Sequence, residues 1–303
     1  MTTMQRFSLG KFSVARIGFG AMQLPGPGVF GPPRDRDEAL AVLRRARELG
    51  VNHIDTAQYY GPDIANELIR EALYPYPDDL AIVSKVGGRR DGTGAWLPAT
   101  EPHELRRGIE DNLHTLGLDQ LAAVNLRVMD SAAGDHSQPG QLRREQFDKQ
   151  LTTMIKARDE GLIAGIGLSN ITREHLLFAV ERTEIVCVQN AYNLIDRSSQ
   201  PLLDECTARN IAFGPFFPLG SGFARDNPVL GNHAVRRSAQ RLGRTPAQVV
   251  LAWTLAVAPN VLLIPGTSSL RHLEENIAVA DIELDDDTRR QLSAVASTAS
   301  HST

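Results

Sequence analysis

Short, almost wholly apolar runs recur along this chain, and each is followed by a stretch of helical spacing. That alternation constrains the fold more than any other feature. The runs begin near Ile17, His53, Ala81, Leu121, Ala164, Val186, Ile211 and Val261, eight in all. Most are apolar without a break, as in Ala81-Ile82-Val83 and Val261-Leu262-Leu263-Ile264. Strands covered on both faces read this way, so a parallel sheet flanked by helices is expected. Leu105, Ile109, Leu113 and Leu116 form one helical stripe, closed by Gly117, and Leu40, Leu43 and Leu49 form another, closed by Gly50. Thr245-Pro246-Ala247-Gln248 predicts a capping box, with Thr at the N-cap and Gln reaching back. Alternating β and α units allow an open doubly wound sheet or a closed barrel. Eight regular units favour the barrel, so the reading is one α/β domain over 1–303, a (β/α)8 TIM barrel. The segment Phe7 to Ser13, two short apolar-alternating arms around Gly10-Lys11, predicts a β-hairpin closing the barrel bottom.

Several function classes fall away on composition. A net charge of −4 with scattered Arg and Lys gives no electrostatic footprint for nucleic acid or an anionic membrane. The pairs Arg44-Arg45, Arg89-Arg90 and Arg236-Arg237 read as solvated faces. No metal site is expected, because the two cysteines, Cys187 and Cys206, and the eight histidines lack ligand spacing. Cys187 lies in an apolar run and reads as a buried, inert thiol, which fits a reducing compartment. Met1 to Lys11 lacks the apolar stretch of a signal peptide, and Val249 to Pro259 is too short to span a bilayer. A cytoplasmic location is the expectation. Gly220-Ser221-Gly222 lacks the spacing of a nucleophile elbow, and Gly18-Phe19-Gly20-Ala21-Met22 lacks the third Gly of a dinucleotide fingerprint.

In such a barrel the chemistry belongs at the C-terminal ends of the strands. Polar residues cluster there: Asp55 after His53-Ile54, Lys85 after Val83-Ser84, and Arg127 after Asn125-Leu126. Ser169-Asn170 follows Gly167-Leu168, and Gln189-Asn190 follows Cys187-Val188. Taken singly, each has a plain alternative. Asp55 would cap a turn with Thr56, Lys85 would be a solvated strand end, and Tyr60, like Tyr59, a rim aromatic. His53 reads as a structural histidine.

The ordered motifs change that balance. Gly50-Val51-Asn52-His53-Ile54-Asp55-Thr56-Ala57-Gln58-Tyr59-Tyr60-Gly61, Ile82 to Lys85 and Gly165 to Asn170 together resemble the aldo-keto reductase family. Val188-Gln189-Asn190, Pro218 to Gly222, Ile264 to Thr267 and Leu273 to Asn276 extend the match in the family's order, from about Ile17 to Asn276.

The resemblance implies that Asp55, Tyr60 and Lys85 occupy catalytic positions. Tyr60 would protonate a carbonyl oxygen as hydride arrives from a nicotinamide. A phenol titrates near pH ~10 when unperturbed, and a neighbouring Lys85 ammonium would lower that value. Asp55 would keep Lys85 charged and oriented. The fourth position departs from the family: Arg127 stands where His is usual. Arg127 would hold a substrate oxygen and favour the Tyr60 phenolate, pair with Asp55, or recruit an anionic substrate.

The same resemblance places Ser169, Asn170 and Gln189 on the nicotinamide carboxamide, and Phe216 on the nicotinamide ring or in ordinary core packing. Gly20 and Met22 would lie beside the cofactor, with Leu219, Gly220 and Gly222 at the pyrophosphate. Gly266, Thr267 and Ser268 precede a predicted helix whose N-terminus suits a phosphate. Arg271 or His272 would meet an adenosine 2′-phosphate, and Glu275 and Asn276 the adenine. NADPH is the implied cofactor. NADH stays open, since serines replace the Lys or Arg often found after the Pro-Gly pair.

The expected activity is NADPH-dependent reduction of an aldehyde or ketone, a small-molecule carbonyl being the partner. Arg127 also motivates a reading from another class, a cofactor-binding sensor with little turnover, similar to the potassium-channel β subunits of the family. A barrel scaffold that binds no dinucleotide is the third. The stretches Gln23 to Pro33, Gly87 to Ala99 and Met129 to Gly140 are expected at the barrel mouth, Arg89, Arg90 and Trp96 among them, where substrate choice is made.

Overall fold

The computed structural model describes residues 4–129, 141–220 and 227–295. The chain opens with an antiparallel hairpin, β1 (Arg6–Leu9) and β2 (Phe12–Ala15), turning at Gly10 with φ +57°. Parallel strands follow: β3 (Phe19–Gly20), β4 (His53–Asp55) and β5 (Ala81–Val86). A second hairpin, β6 (Gly88–Arg90) and β7 (Trp96–Pro98), interrupts the series before β8 (Ala123–Arg127), β9 (Ile166–Ser169), β10 (Cys187–Ala191) and β11 (Ala212–Phe216). The parallel sheet runs β3-β4-β5-β8-β9-β10-β11, each strand beside its sequence neighbour in the series.

The helices are α1 (Arg36–Glu48), α2 (Ile64–Leu73), α3 (Pro102–Leu116), α4 (Arg144–Asp159), α5 (Arg173–Val180) and α6 (Gln200–Ala208). They alternate with the strands and are followed by α7 (Pro228–Gly231), α8 (His233–Leu242), α9 (Pro246–Ala256), α10 (Leu270–Ile277) and α11 (Asp286–Ser293). The predicted stops and caps are in place. Gly117 takes the left-handed conformation (φ 68°) that ends α3, and Thr245 and Gln248 form the reciprocal capping box of α9.

The eighth expected strand, from Val261, contributes bridges on both sides instead of a long ladder. Val261 pairs with Phe213 of β11, and Leu263 pairs with Ile17 just before β3. Leu262 N–H donates to Phe213 O at 2.8 Å, and Leu263 N–H donates to Arg16 O at 2.8 Å. The curled sheet thereby closes on itself as a (β/α)8 barrel. Arg16 reinforces the seam from a buried position, donating to the carbonyls of Val261 (3.2 Å) and Ala258 (2.7 Å). A guanidinium suits this task because its several N–H groups satisfy carbonyls left over beyond a helix end.

Close packing explains the glycines of Gly18-Phe19-Gly20. A Cβ on Gly18 would fall 2.2 Å from His53 Nε2, and one on Gly20 would fall 2.4 Å from Ile264 O. Both distances are far inside van der Waals contact, so Gly20 serves close packing at the barrel seam and Gly18 makes room for the His53 ring of neighbouring β4.

The N-terminal hairpin seals the bottom as expected. Leu9 and Val14 pack with Ala81, Ala123, Cys187, Ala212 and Leu262 in a cluster of their own. The main core lies between barrel and helices and includes Ile54, Ile82, Leu105, Ile109 and Leu151. Burial of that apolar surface is the main stabilising contribution. With the bottom plugged, the open end is the C-terminal one, where each strand delivers its last residue.

Candidate active site

Asp55 is the last residue of β4 and Lys85 the next-to-last of β5. Arg127 ends β8, Ser169 ends β9 and Phe216 ends β11. Tyr60 sits in the turn between β4 and α2. Asp55 and Lys85 are both buried and form a direct ion pair, Lys85 Nζ donating to Asp55 Oδ1. Lys85 Nζ also donates to Thr56 O at 3.2 Å. The other Asp55 oxygen accepts from Gln189 Nε2 at 2.6 Å. Both carboxylate oxygens are therefore held, as a buried charge requires.

These groups line a cavity of about 680 Å³ at the barrel mouth. Gly20, Met22, Asp55, Tyr60, Lys85, Arg127, Gln189 and Phe216 all contribute to its wall. So do Leu219, Gly220, Gly266 and Asn276. Ser169 and Asn170 are buried and do not line that wall. Ser169 Oγ accepts from Arg127 Nη1 at 3.2 Å, and Asn170, in the left-handed region (φ 57°), donates its side chain to Val128 O at 3.0 Å. Thr267 is buried and its Oγ1 accepts from Ser269 N–H at 3.0 Å, while Ser268, Arg271 and His272 are exposed. Arg271 pairs with Glu275 at 3.1 Å and touches His272 Nε2 at 2.9 Å. Gly222 lies outside the described residues, as does nearly all of the expected mouth loop Met129 to Gly140.

The Lys85 ammonium lies 5.0 Å from the centroid of the Tyr60 ring. Even so, the Tyr60 phenol is pushed up from its ordinary value, first by burial and then by the Asp55 carboxylate. The charge that pulls it back is that of Arg127. This differs from the expectation that Lys85 lowers it, and the ion pair gives the reason: Asp55 offsets the Lys85 charge at close range. The phenol is held protonated, the state a proton donor needs. Arg127 forms no ion pair with Asp55; its guanidinium donates to Ser169 Oγ and lies over the Phe216 ring at 5.3 Å.

Some cavity residues escaped the sequence reading. Tyr59, expected at the rim, is buried and stands edge-on to both Tyr60 (5.4 Å) and Trp96 (5.6 Å). Asn193 and Asp196, past the end of β10, also reach the cavity. Arg90, expected at the mouth but as half of a solvated pair, bridges two loops there. A polar run after each strand was the available signal for Asn193 and Asp196, but nothing in a Tyr-Tyr pair distinguishes wall from rim.

The Aldo/keto reductase family model matches residues 16–297. The chain belongs to the aldo/keto reductase family. It is 49% identical over 289 residues to pyridoxine 4-dehydrogenase of Escherichia coli strain K12, covering 95% of this chain and 97% of that one. Among solved structures it is similar to an aldo/keto reductase from Klebsiella pneumoniae in complex with NADP and acetate. That match has a TM-score of 0.77 and 26% identity, covering 97% of this chain and 96% of the other. A thermostable aldo-keto reductase bound to the inhibitor epalrestat matches with a TM-score of 0.78 and 28% identity, over 96% and 100% of the two chains. The chain is thus an NAD(P)H-dependent oxidoreductase, and the similar Klebsiella pneumoniae structures are complexes with NADP and with NADPH.

The residues present fit a nicotinamide dinucleotide. Gln189 Oε1 is buried at the cavity wall without a hydrogen-bond partner, and an acceptor of this kind matches a carboxamide N–H. Ser269 caps α10 without a side-chain hydrogen bond, which leaves the helix's first N–H groups for an anion. Among the described residues no group of His, Cys, Asp and Glu could hold a metal ion, and no helix is long and apolar enough to cross a membrane.

Proposed function

We propose that this aldo/keto reductase interconverts a carbonyl and its alcohol with NADPH, and that its substrate class is a flat ring aldehyde of the pyridoxal type. The observation that carries the reading is Tyr60: a buried phenol, held protonated, on the wall of a cavity it shares with the Asp55–Lys85 pair. The similarity to a pyridoxine 4-dehydrogenase supplies the substrate class. A bound reduced nicotinamide supplies the hydride that reaches the carbonyl carbon. Tyr60 Oη gives its proton to the carbonyl oxygen, and in the oxidising direction it takes that proton back. Lys85, fixed by Asp55, stands beside the phenolate that results. Arg127 donates to the substrate oxygen, and its permanent charge favours the phenolate.

The cofactor would be held along the rim of the same cavity. Ser169, Asn170 and Gln189 would bind the carboxamide, Phe216 would face the ring, and Gly20 and Met22 would pass beside it. Leu219, Gly220 and Gly222 would meet the pyrophosphate. Gly266, Thr267 and Ser268 with Arg271 or His272 would take the adenosine phosphate, and Glu275 and Asn276 the adenine. In this reading 1–303 is one barrel domain serving one site.

The test is fluorescence titration with NADPH and NADH, followed by a carbonyl panel that includes pyridoxal, read by nicotinamide absorbance. Tyr60→Phe is expected to cut turnover by about 10²–10⁴-fold while NADPH binding stays within about twofold. Tight NADPH binding with no turnover of any carbonyl would overturn the reading in favour of a cofactor sensor.

A further inference from the structure

Arg90 ends β6 of the mouth hairpin, and its guanidinium faces backbone carbonyls on two separate loops. Nε donates to Gly94 O at 2.9 Å within its own hairpin. Nη1 donates to Val29 O at 3.3 Å and Nη2 to Gly28 O at 3.0 Å, both on the Gln23 to Pro33 loop. The flat faces of the group are also in use. The Trp96 ring centroid lies 4.0 Å from Arg90 Cζ, and that of Phe30 lies 5.4 Å away.

The carbonyl that receives Nη1 is itself unusual. Val29 is buried and adopts φ +60°, a costly conformation for a β-branched residue that surrounding contacts must hold. Its oxygen also accepts from Gly61 N–H at 3.2 Å, and Gly31 N–H donates to Gly61 O at 2.8 Å. Gly61 directly follows Tyr60. On the other side, Trp96 lines the cavity and meets Tyr59 edge-on, which in turn meets Tyr60. Arg90 therefore belongs to a ring of contacts running Tyr60–Gly61–Val29–Arg90–Trp96–Tyr59 and back to Tyr60.

We propose that Arg90 is a positioning residue that locks the Gln23 to Pro33 loop to the β6–β7 hairpin and holds Trp96 as a fixed aromatic wall of the carbonyl site. This rests on the carbonyl-reduction reading above and names what would make that site select flat rings. A fixed aromatic wall is worth most to a flat ring and little to a small aliphatic aldehyde. Arg90 touches neither the substrate nor the cofactor; its effect on substrate binding runs through Trp96, and the proton and hydride transfers do not involve it.

The experiment compares Arg90→Met, Arg90→Lys, Trp96→Ala and the Arg90→Met/Trp96→Ala pair, with pyridoxal and propanal as substrates. Arg90→Met is expected to raise KM for pyridoxal about tenfold, with kcat within about twofold and NADPH binding unchanged. KM for propanal is expected to move far less. Arg90→Lys is expected to resemble Arg90→Met, because an ammonium neither stacks flat nor reaches the carbonyls as a planar fork. In the Trp96→Ala background Arg90→Met is expected to add nothing, since it acts through the missing ring. Additive effects in the pair, recovery of KM in Arg90→Lys, or equal losses for both aldehydes would each overturn the proposal.

A second readout does not need turnover. Trp96 and Trp253 are the two tryptophans of the chain, and Trp253 is buried against Tyr192. Acrylamide quenching of tryptophan emission is expected to rise in Arg90→Lys as Trp96 loosens; unchanged quenching overturns the clamp. If the wild type reduces no aldehyde, the carbonyl reading fails, and quenching still decides whether Arg90 holds Trp96.

Discussion

Gln189 donates to the Asp55 carboxylate from across the barrel, at 2.6 Å, while its own amide oxygen is left without a partner at the cavity wall. One side chain thereby joins the Asp55–Lys85 pair to the surface where a carboxamide would bind. Asp55 is held from opposite sides by a charge and an amide, so it acts as the fixed point of the site. The proton donor, Tyr60, is set apart from this pair and is tuned by burial.

Replacing Asp55 with Asn would leave Lys85 buried without its counter-ion, a change that typically costs about 3–5 kcal/mol. Denaturant unfolding of Asp55→Asn is expected to show a loss of that size. The carboxylate also raises the Tyr60 phenol. Its removal is therefore expected to move the basic limb of the pH–rate profile to lower pH. Wild-type stability in this variant would mean that the pair is not a buried ion pair in solution.

Arg127 pulls the Tyr60 phenol downward, against burial and Asp55. Histidine is neutral above its ordinary value of about 6.5 and would not exert that pull at alkaline pH. Arg127→His is thus expected to move the basic limb of kcat/KM to higher pH. It should also lower turnover by about tenfold, as one charged donor to the substrate oxygen is lost. A limb that stays in place would show that Arg127 does not face the reacting phenol.

Behind the catalytic pair lies a buried polar network. Asn112 Oδ1 on α3 accepts from Ser84 Oγ at 2.6 Å and from Asn66 Nδ2 at 2.9 Å, and Asn66 Oδ1 accepts from Thr56 Oγ1 at 2.8 Å. Ser84 and Thr56 are the chain neighbours of Lys85 and Asp55. Asn112→Ala would strand the buried Ser84 hydroxyl and leave Asn66 Nδ2 with Thr115 Oγ1 as its remaining partner at 3.0 Å, and is expected to cost about 1–3 kcal/mol in urea unfolding. A change below about 0.5 kcal/mol would mean that the cavity refills with water or other partners.

Much of this was legible in the sequence. Unbroken apolar runs mark strands buried on both faces, and the polar residue closing each run marks the mouth, so Asp55, Lys85, Arg127 and Gln189 were placed by pattern. Contacts between elements were not. Asn66 and Asn112 gave no signal, because a helical pattern does not reveal that two polar faces meet. Gly18 and Gly20 looked like a failed nucleotide motif, although the atoms they make room for, on His53 and Ile264, are far away in the chain. Arg90 was placed at the mouth but as half of a solvated pair, because neighbouring arginines usually are solvated and its partners Gly28 and Val29 lie in a different loop. The eighth strand was found by its run of apolar residues, but its length depends on how β3 and β11 meet.

His53 offers the last test, on stability and not on activity. Its imidazole is buried in the barrel and its pKa is lowered from 6.5 to about 4, by desolvation, which outweighs a backbone contact at Ala15. An unfolded chain takes up this proton once the pH falls below about 6.5, whereas the folded chain resists until about pH 4. Protonation therefore favours unfolding, and this contribution is absent above pH 6.5 and complete by about pH 4. The difference between the two values is worth about 3 kcal/mol. Urea midpoints measured at pH 7.5, 6 and 4.5 should fall more steeply for the wild type than for His53→Gln, since the carboxylates contribute equally to both proteins. Parallel slopes would mean that water reaches the imidazole in the native barrel and that Gly18 does not pack it as closely as the 2.2 Å Cβ approach implies.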